Sequence, residues 1–378
     1  MAARNAIALW SGRWSWGDTI THMPSLHRLL LPIYMLALSG CSSVGYYWQA
    51  IQGHFEIVAR EQPIKDMLAQ PALDPELRHK LELIQQARQF ASNALALPKN
   101  DSYTEYADLQ RPYVTWNVTV TPPYSVTPKH WCYVFAGCFN YRGYFHKQDA
   151  VSFAKQDQQT GDDVAVSGAW AYSTLGWFDD PVLNTMLQHD DADMVGTLFH
   201  ELGHQTVYVK DDSSFNESFA NTVEQEGLRR WFLHTGHPGQ YQRYLLQREQ
   251  RKAIIGMMIS TRQKLRELYA QPLTAAQKQQ GKQELFARLK QTYQHWRGRH
   301  SYSAYDHWMQ QDLNNAHLAL VATYTDKVPA FLAMLAAQHG DLPAFYREAK
   351  RVGALPSSQR IAALDNYAKT GTQISAIP

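Results

Sequence analysis

The sequence predicts a mostly helical α+β chain, with helices first, a small sheet in the middle and a helical bundle at the C-terminal end. Three observations predict it. Before residue 100 and after residue 240, apolar residues recur three and four apart among Ala, Gln, Glu, Lys and Arg. Between residues 103 and 180, β-branched and aromatic residues come in near alternation. Between these regions a His-Glu-x-x-His run, His200 to His204, lies inside an apolar stripe of helical period. The organisation expected is a leader over 1–40, N-terminal helices over 41–100, a strand-rich part with the motif helices over 101–240, and a helical region over 241–378.

Residues 1–40 read as a targeting segment. Leu29 to Gly40 is apolar, follows His27-Arg28, and is too short to span a bilayer but right for a signal-peptide core. Leu38-Ser39-Gly40-Cys41 resembles a bacterial lipobox, in which the cysteine is acylated and becomes the new N-terminus; an ordinary signal peptide with an incidental cysteine is the alternative. Met23 would begin a more usual signal peptide than Met1, whose prefix carries three tryptophans. Ser42 stands where aspartate would signal retention in the inner membrane. A lipid anchor at Cys41 in the outer membrane, facing the periplasm, is therefore expected.

The remainder is long enough to bury a sizeable core. A formal net charge of +2 gives no strongly basic face, so no nucleic-acid partner is expected. Tyr46 to Arg60 reads as an amphipathic helix. Asp74-Pro75-Glu76 opens a second one, with N-cap, first-turn proline and acidic residue, and Leu77, Leu81, Ile84 and Ala87 share its face.

Tyr113 to Val120, Tyr141 to Phe145 and Val164 to Tyr172 read as strands, and Pro122-Pro123 ends the first. Cys132 and Cys138 suit a small disulfide loop in an oxidising compartment, with two buried thiols as the alternative. Arg142 could hold a substrate carboxylate or stack on aromatic neighbours. The last strand precedes the motif, where an extended peptide could pair with it; its Tyr172, and Trp177 beyond, could equally be packing residues.

Asp190, Asp191 and Asp193 suit a helix start, and Met194, Val195, Leu198, Phe199 and Leu202 make its buried stripe. Residues four apart share a helix face, so His200 and His204 can grip one ion while Glu201 faces a water beside it. Two imidazoles, an open coordination position and a carboxylate base make a zinc-hydrolase pattern. Gly and His at the next metzincin positions are missing, since Val207 and Lys210 stand there. A polar turn, Asp211 to Ser214, then leads into a second helix, which would bring Glu217 to the ion and Asn221 to a ligand histidine. Ser214-x-x-Glu217 is also a capping-box pattern, and a glutamate folded back on its own helix would not reach a metal. Glu224 and Glu226 are the reserve ligands.

The run His200 to Ala220, with Asn216-Glu217-Ser218-Phe219-Ala220, resembles the gluzincin metallopeptidases. Together with Ala171 to Pro181, it is similar to a bacterial aminopeptidase family of envelope lipoproteins, over about residues 38–365. The resemblance implies a zincin-like core, a Zn²⁺ held by His200, His204 and Glu217, Glu201 as general base, and a peptide or protein substrate. The Gly-x-Met-Glu-Asn strand that anchors a substrate amine in well-studied gluzincin aminopeptidases is missing from the sequence.

Tyr241 to Ala270 and Thr274 to Trp296 read as a helical hairpin whose many charges form a solvated face. The last part, from Ser301 to about Ala363, is again helical. A zinc peptidase needs a donor for the oxyanion of its tetrahedral intermediate. Tyr324 is the first candidate, with Asn315 and His317 behind it. The sequence thus predicts a zinc peptidase, an aminopeptidase by resemblance. An envelope endopeptidase and a lipoprotein with purely structural zinc are the rivals.

Overall fold

The helix the motif requires is capped as its acidic start predicts. Asp190 accepts the Asp193 amide at 2.9 Å, with Asp191 and Asp193 in the first turn, where negative charge meets the positive end of the helix dipole. This computed structural model describes residues 45–133, 137–171, 174, 178–319, 321 and 327–374. The chain divides into two units, Met1–Ile51 and Gln52–Pro378. In the first, residues 45–51 are helical; the leader and Cys41 lie outside the described residues. All that follows concerns the second unit.

This unit opens on helical residues 52–58 (α1), then β1 (Glu61–Pro63), α2 (Ile64–Leu68) and α3 (Pro75–Ala94). Asp74 caps α3 as expected, accepting the amides of Glu76 and Leu77. Leu81, Ile84 and Ala87 are fully buried. Strands β2 (Glu105–Ala107), β3 (Thr115–Thr121), β4 (Trp131–Tyr133), β5 (Gly137–Phe139) and β6 (Arg142–Tyr144) follow, then α4 (Lys147–Gln159), β7 (Asp163–Ala169) and β8 (Val182–Leu183).

One small sheet was expected, and the described strands form three. The largest has the order β6-β3-β7, antiparallel throughout, with Thr115 opposite Ala169 and Thr121 opposite Asp163. The second, β1-β2-β8, has an antiparallel and a parallel pair. The third is the β4–β5 hairpin, closed by the Cys132–Cys138 disulfide.

Helices α5 (Asp191–Thr206) and α6 (Ser213–His234) carry the motif and its sequel. They pair antiparallel. A Cβ at Gly203 would touch the Ala220 backbone, and two turns earlier one at Gly196 would touch Leu228 and Glu224. Met194, Val195, Leu198, Phe199 and Leu202 of α5, and Phe215, Phe219, Ala220 and Val223 of α6, are all essentially buried. The turn between them is locked from both ends. Asn216 exchanges two hydrogen bonds of 2.8 Å with the Val209 backbone. Asp212 caps α6 through the Phe215 amide, and Arg360 and Lys327 hold its carboxylate from the C-terminal helices.

Helices α7 (Pro238–Ala270) and α8 (Ala275–Arg297) form the expected hairpin, with Thr274 and Gln277 in a capping box. Ile254, Met258 and Leu265 pack with Phe286, Leu289 and Trp296. The hairpin's charges are not all solvated. Lys282 is buried and pairs with Asp163 at the start of β7, at 2.7 Å. Five more helices complete the chain: α9 (Asp306–Gln310), α10 (Asn315–Ala319), α11 (Val328–Ala337), α12 (Leu342–Gly353) and α13 (Ser357–Ile374). Behind α6, Phe219 stacks on Phe345 at 5.4 Å and meets Phe331 edge-on. The result is a mostly helical α+β fold of zincin-like architecture, with three small sheets and a C-terminal helical region.

Candidate metal centre

One turn of α5 separates His200 from His204, and their Nε2 atoms face each other at 3.1 Å. From the next helix, Glu217 brings Oε2 to 3.4 Å from His200 Nε2 and Oε1 to 3.7 Å from His204 Nε2. These three residues are the group, among the described residues, whose ligand atoms lie close enough together to hold a metal ion. Tetrahedral zinc with bonds of about 2.0–2.1 Å places its ligand atoms roughly 3.3 Å apart. The separations found here bracket that figure.

The donor chemistry fits a cation as well. Glu224 Oε2 lies 3.3 Å from His200 Nδ1, which favours a proton on that nitrogen and turns Nε2 toward the cluster. Burial lowers the pKa of His204 to about 4, against the pull of Glu217, so its ring is neutral. Burial also opposes charge on His200, but Glu217 and Glu224 outweigh it and hold its pKa well above 6.5. Two carboxylates therefore converge on one imidazole. Their charge is balanced by a second proton on His200 or by a metal ion that takes its place.

The Ser214 capping box does not form. Asp212 takes the N-cap, so Ser214 lies within α6 and Glu217 is free to face α5. Asn221 was expected at a ligand histidine; its Nδ2 donates to the Glu217 carbonyl at 2.8 Å. The outer carboxylate on His200 is Glu224, expected only as a reserve ligand. Gly196 leaves it room, since a Cβ there would stand 3.3 Å from Glu224 Cγ. Burial raises the pKa of Glu224, but His200, Arg251 and Arg248 outweigh it and keep the group a carboxylate. The spacing held a signal for this: Glu224 lies two turns beyond Glu217 on the same helix face. Arg251 had none, because nothing in a charge run marks which arginine of α7 acts on Glu224; it is exposed, and its Nε donates to the Tyr302 hydroxyl at 3.2 Å. Glu226 lies away from the cluster, bonded to Arg229 and Arg230.

Glu201 is partly buried beside His200. Burial raises its pKa most, His200 draws it back, and Glu217, Asp180 and Glu224 push it up, to about 7. A carboxyl poised there exchanges protons near neutral pH.

The remaining candidates are placed elsewhere or undescribed. Tyr324, Tyr172 and Trp177 lie outside the described residues. Asn315 is fully buried, accepting from the Tyr269 hydroxyl and donating to the Pro123 carbonyl, so it ties the α7–α8 hairpin to the sheet. His317 Nδ1 pairs with Asn314 in the same junction. Arg142 stacks over Phe153 and Tyr144 in the β6–α4 layer.

The family described as "putative aminopeptidase" matches residues 45–364 of the chain. No curated protein and no solved structure matches it.

Proposed function

The chain belongs to this aminopeptidase family, and on that premise we propose that it is a zinc-dependent aminopeptidase with His200, His204 and Glu217 as metal ligands and Glu201 as general base. The observation that carries the reading is the convergence of two imidazole nitrogens and a carboxylate at mutual distances of 3.1, 3.4 and 3.7 Å. When bound, zinc supplies Lewis acidity, lowering the pKa of a coordinated water toward about 7 and polarising a carbonyl.

The protein's own groups do the rest. His200 and His204 present lone pairs, and Glu224 fixes the His200 tautomer from outside. Glu217 supplies the charge that makes the site selective for a cation. Glu201 takes the proton of the attacking water on its carboxylate and delivers it to the departing amine nitrogen. A carboxylate next to the metal-binding histidines favours catalysis over purely structural zinc, which has no use for a base. Tyr324 is retained as the proposed oxyanion donor.

The proposal extends to location. The lipobox-like Leu38 to Cys41 supports lipidation at Cys41 and attachment to the outer membrane on its periplasmic side. No helix among the described residues is long and apolar enough to cross a membrane. A lipid mass on Cys41 is the expected result, and an unmodified Met1 on the mature protein would exclude it.

The activity is tested by elemental analysis of the purified protein, followed by a panel of peptides with free and blocked N-termini. One zinc per chain, and cleavage confined to free-amine peptides, are expected. Cleavage of blocked peptides would make the enzyme an endopeptidase. One zinc without cleavage of any peptide would leave only the structural role.

A further inference from the structure

Tyr103 combines three features that rarely occur together. Its side chain is completely buried, yet its hydroxyl has no hydrogen-bond partner. Its backbone is held at φ +66°, the left-handed region, which a bulky side chain enters only when its surroundings force it. The forcing groups can be named. The Tyr103 amide donates to the Asp180 carbonyl at 2.6 Å, and Gln85 Nε2 donates to the Tyr103 carbonyl at 2.9 Å. One residue back, the buried Arg88 guanidinium gathers the carbonyls of Pro98, Asn100 and Ser102. The chain expends both backbone strain and an unmade hydrogen bond to hold one phenol in place.

That place is in the loop held against the Glu201 face of α5. Gln205, one turn after Glu201 on the same face of α5, donates to Ser102 Oγ at 3.2 Å and accepts from Asn100 Nδ2 at 2.9 Å, so the loop carrying Tyr103 lies along the Glu201 face. Burial holds the phenol well above its usual pKa of 10. The Glu201 and Asp180 carboxylates add to this against Arg88. A phenol so held stays protonated, and toward a carboxylate it can only donate. Both oxygens of Asp180 already accept from the Thr174 amide.

Building on the zinc-peptidase reading, we infer that Tyr103 is a positioning residue for the reaction, its hydroxyl reserved to donate to the Glu201 carboxylate and aim it when substrate is bound. Because the hydroxyl makes no bond in the free protein, removing it should cost no stability. It should cost catalysis only.

The test is Tyr103→Phe in the full chain. The expected result is a melting temperature equal to or above that of the unchanged protein, the same metal stoichiometry, and an unchanged KM with kcat lower by about 10- to 100-fold. A second readout needs no turnover. Acetohydroxamic acid binds metals as its anion and leaves its proton with a neighbouring carboxylate, so its affinity for the cobalt-loaded protein, read from the cobalt absorption, should weaken about tenfold in the variant. Unchanged kcat and unchanged hydroxamate affinity in a cobalt-loaded variant would overturn the inference, and so would a lower melting temperature, which would make the hydroxyl structural. A protein that binds no cobalt would overturn the metal reading itself. A cobalt-loaded protein that cleaves no peptide, yet loses hydroxamate affinity on Tyr103→Phe, would overturn the peptidase reading while keeping the role of Tyr103.

Discussion

Glu224 Oε2 stands 3.3 Å from His200 Nδ1, so the two nitrogens of one imidazole face two different carboxylates from a single helix, Glu217 inside and Glu224 outside. The two glutamates lie two turns apart on α6 and have opposite duties. One faces the space where an ion would sit, and the other sets the tautomer of the ring that faces it.

The two glutamates should therefore differ in what they do to metal content. Glu217→Ala should abolish stoichiometric zinc binding. Glu224→Gln should leave zinc bound but weaken its affinity about 10- to 100-fold, because the outer carboxylate orients the ligand without touching the ion. Competition with a chromophoric chelator measures both, and equal loss in the two variants would count against the division of roles.

Glu201→Gln should retain one zinc per chain and lose about 10²- to 10⁴-fold in kcat, since the amide keeps the shape but cannot take a proton. Turnover within a factor of two of the unchanged enzyme would remove Glu201 as the base.

Removal of metal should abolish the proposed peptidase activity without unfolding the protein. α5 and α6 carry buried apolar residues from Met194 to Leu202 and from Phe215 to Val223, none of which needs an ion. Treatment with EDTA should abolish hydrolysis while far-ultraviolet circular dichroism stays unchanged, and added zinc should restore activity. A chelated protein that loses its helices would point to structural metal.

Asp212 carries three duties with one carboxylate: the α6 cap, the Arg360 pair at 2.8 Å and the Lys327 pair at 3.4 Å. Asp212→Ala leaves two cations without their partner and should lower stability by about 3–5 kcal/mol in urea unfolding. It should also weaken zinc binding, because the turn that registers Glu217 against His200 is no longer held. Leu246→Ala, on an exposed position of α7, should change stability by no more than about 0.5 kcal/mol.

Burial lowers the pKa of His317 to about 4, despite Asp163 and Asp312, which favour its charge. An unfolded chain takes up this proton near pH 6.5, and the folded chain resists it until about pH 4. Stability should therefore fall as pH drops through that window, by on the order of 2 kcal/mol from this residue. His317→Gln should remove that portion of the slope. An unchanged slope between pH 6.5 and 4 would show that His317 is not its source.

Several features were legible from spacing because they are local. Asp190 and Asp74 cap their helices, Thr274 and Gln277 close a capping box, and His200 and His204 share a face, all because a helix repeats every 3.6 residues whatever surrounds it. Cys132 and Cys138 pair across a hairpin for a similarly local reason.

What the sequence determined by itself is the pair of imidazoles on α5, the carboxylate between them and the break that lets a second helix return. The tertiary structure decided how the later groups divide the work. Ser214-x-x-Glu217 reads equally as a cap or as a ligand, and only the capture of the N-cap by Asp212, itself fixed by Arg360 from the far end of the chain, leaves Glu217 facing the histidines. Asn315 and Lys282 look in the sequence like a candidate donor and a solvated cation, and packing makes both of them buried struts. The physical reason is one of range. Backbone geometry fixes which side chains share a face over a few residues, but the partner each polar group finds, and the proton it keeps, depend on which distant element is packed against it.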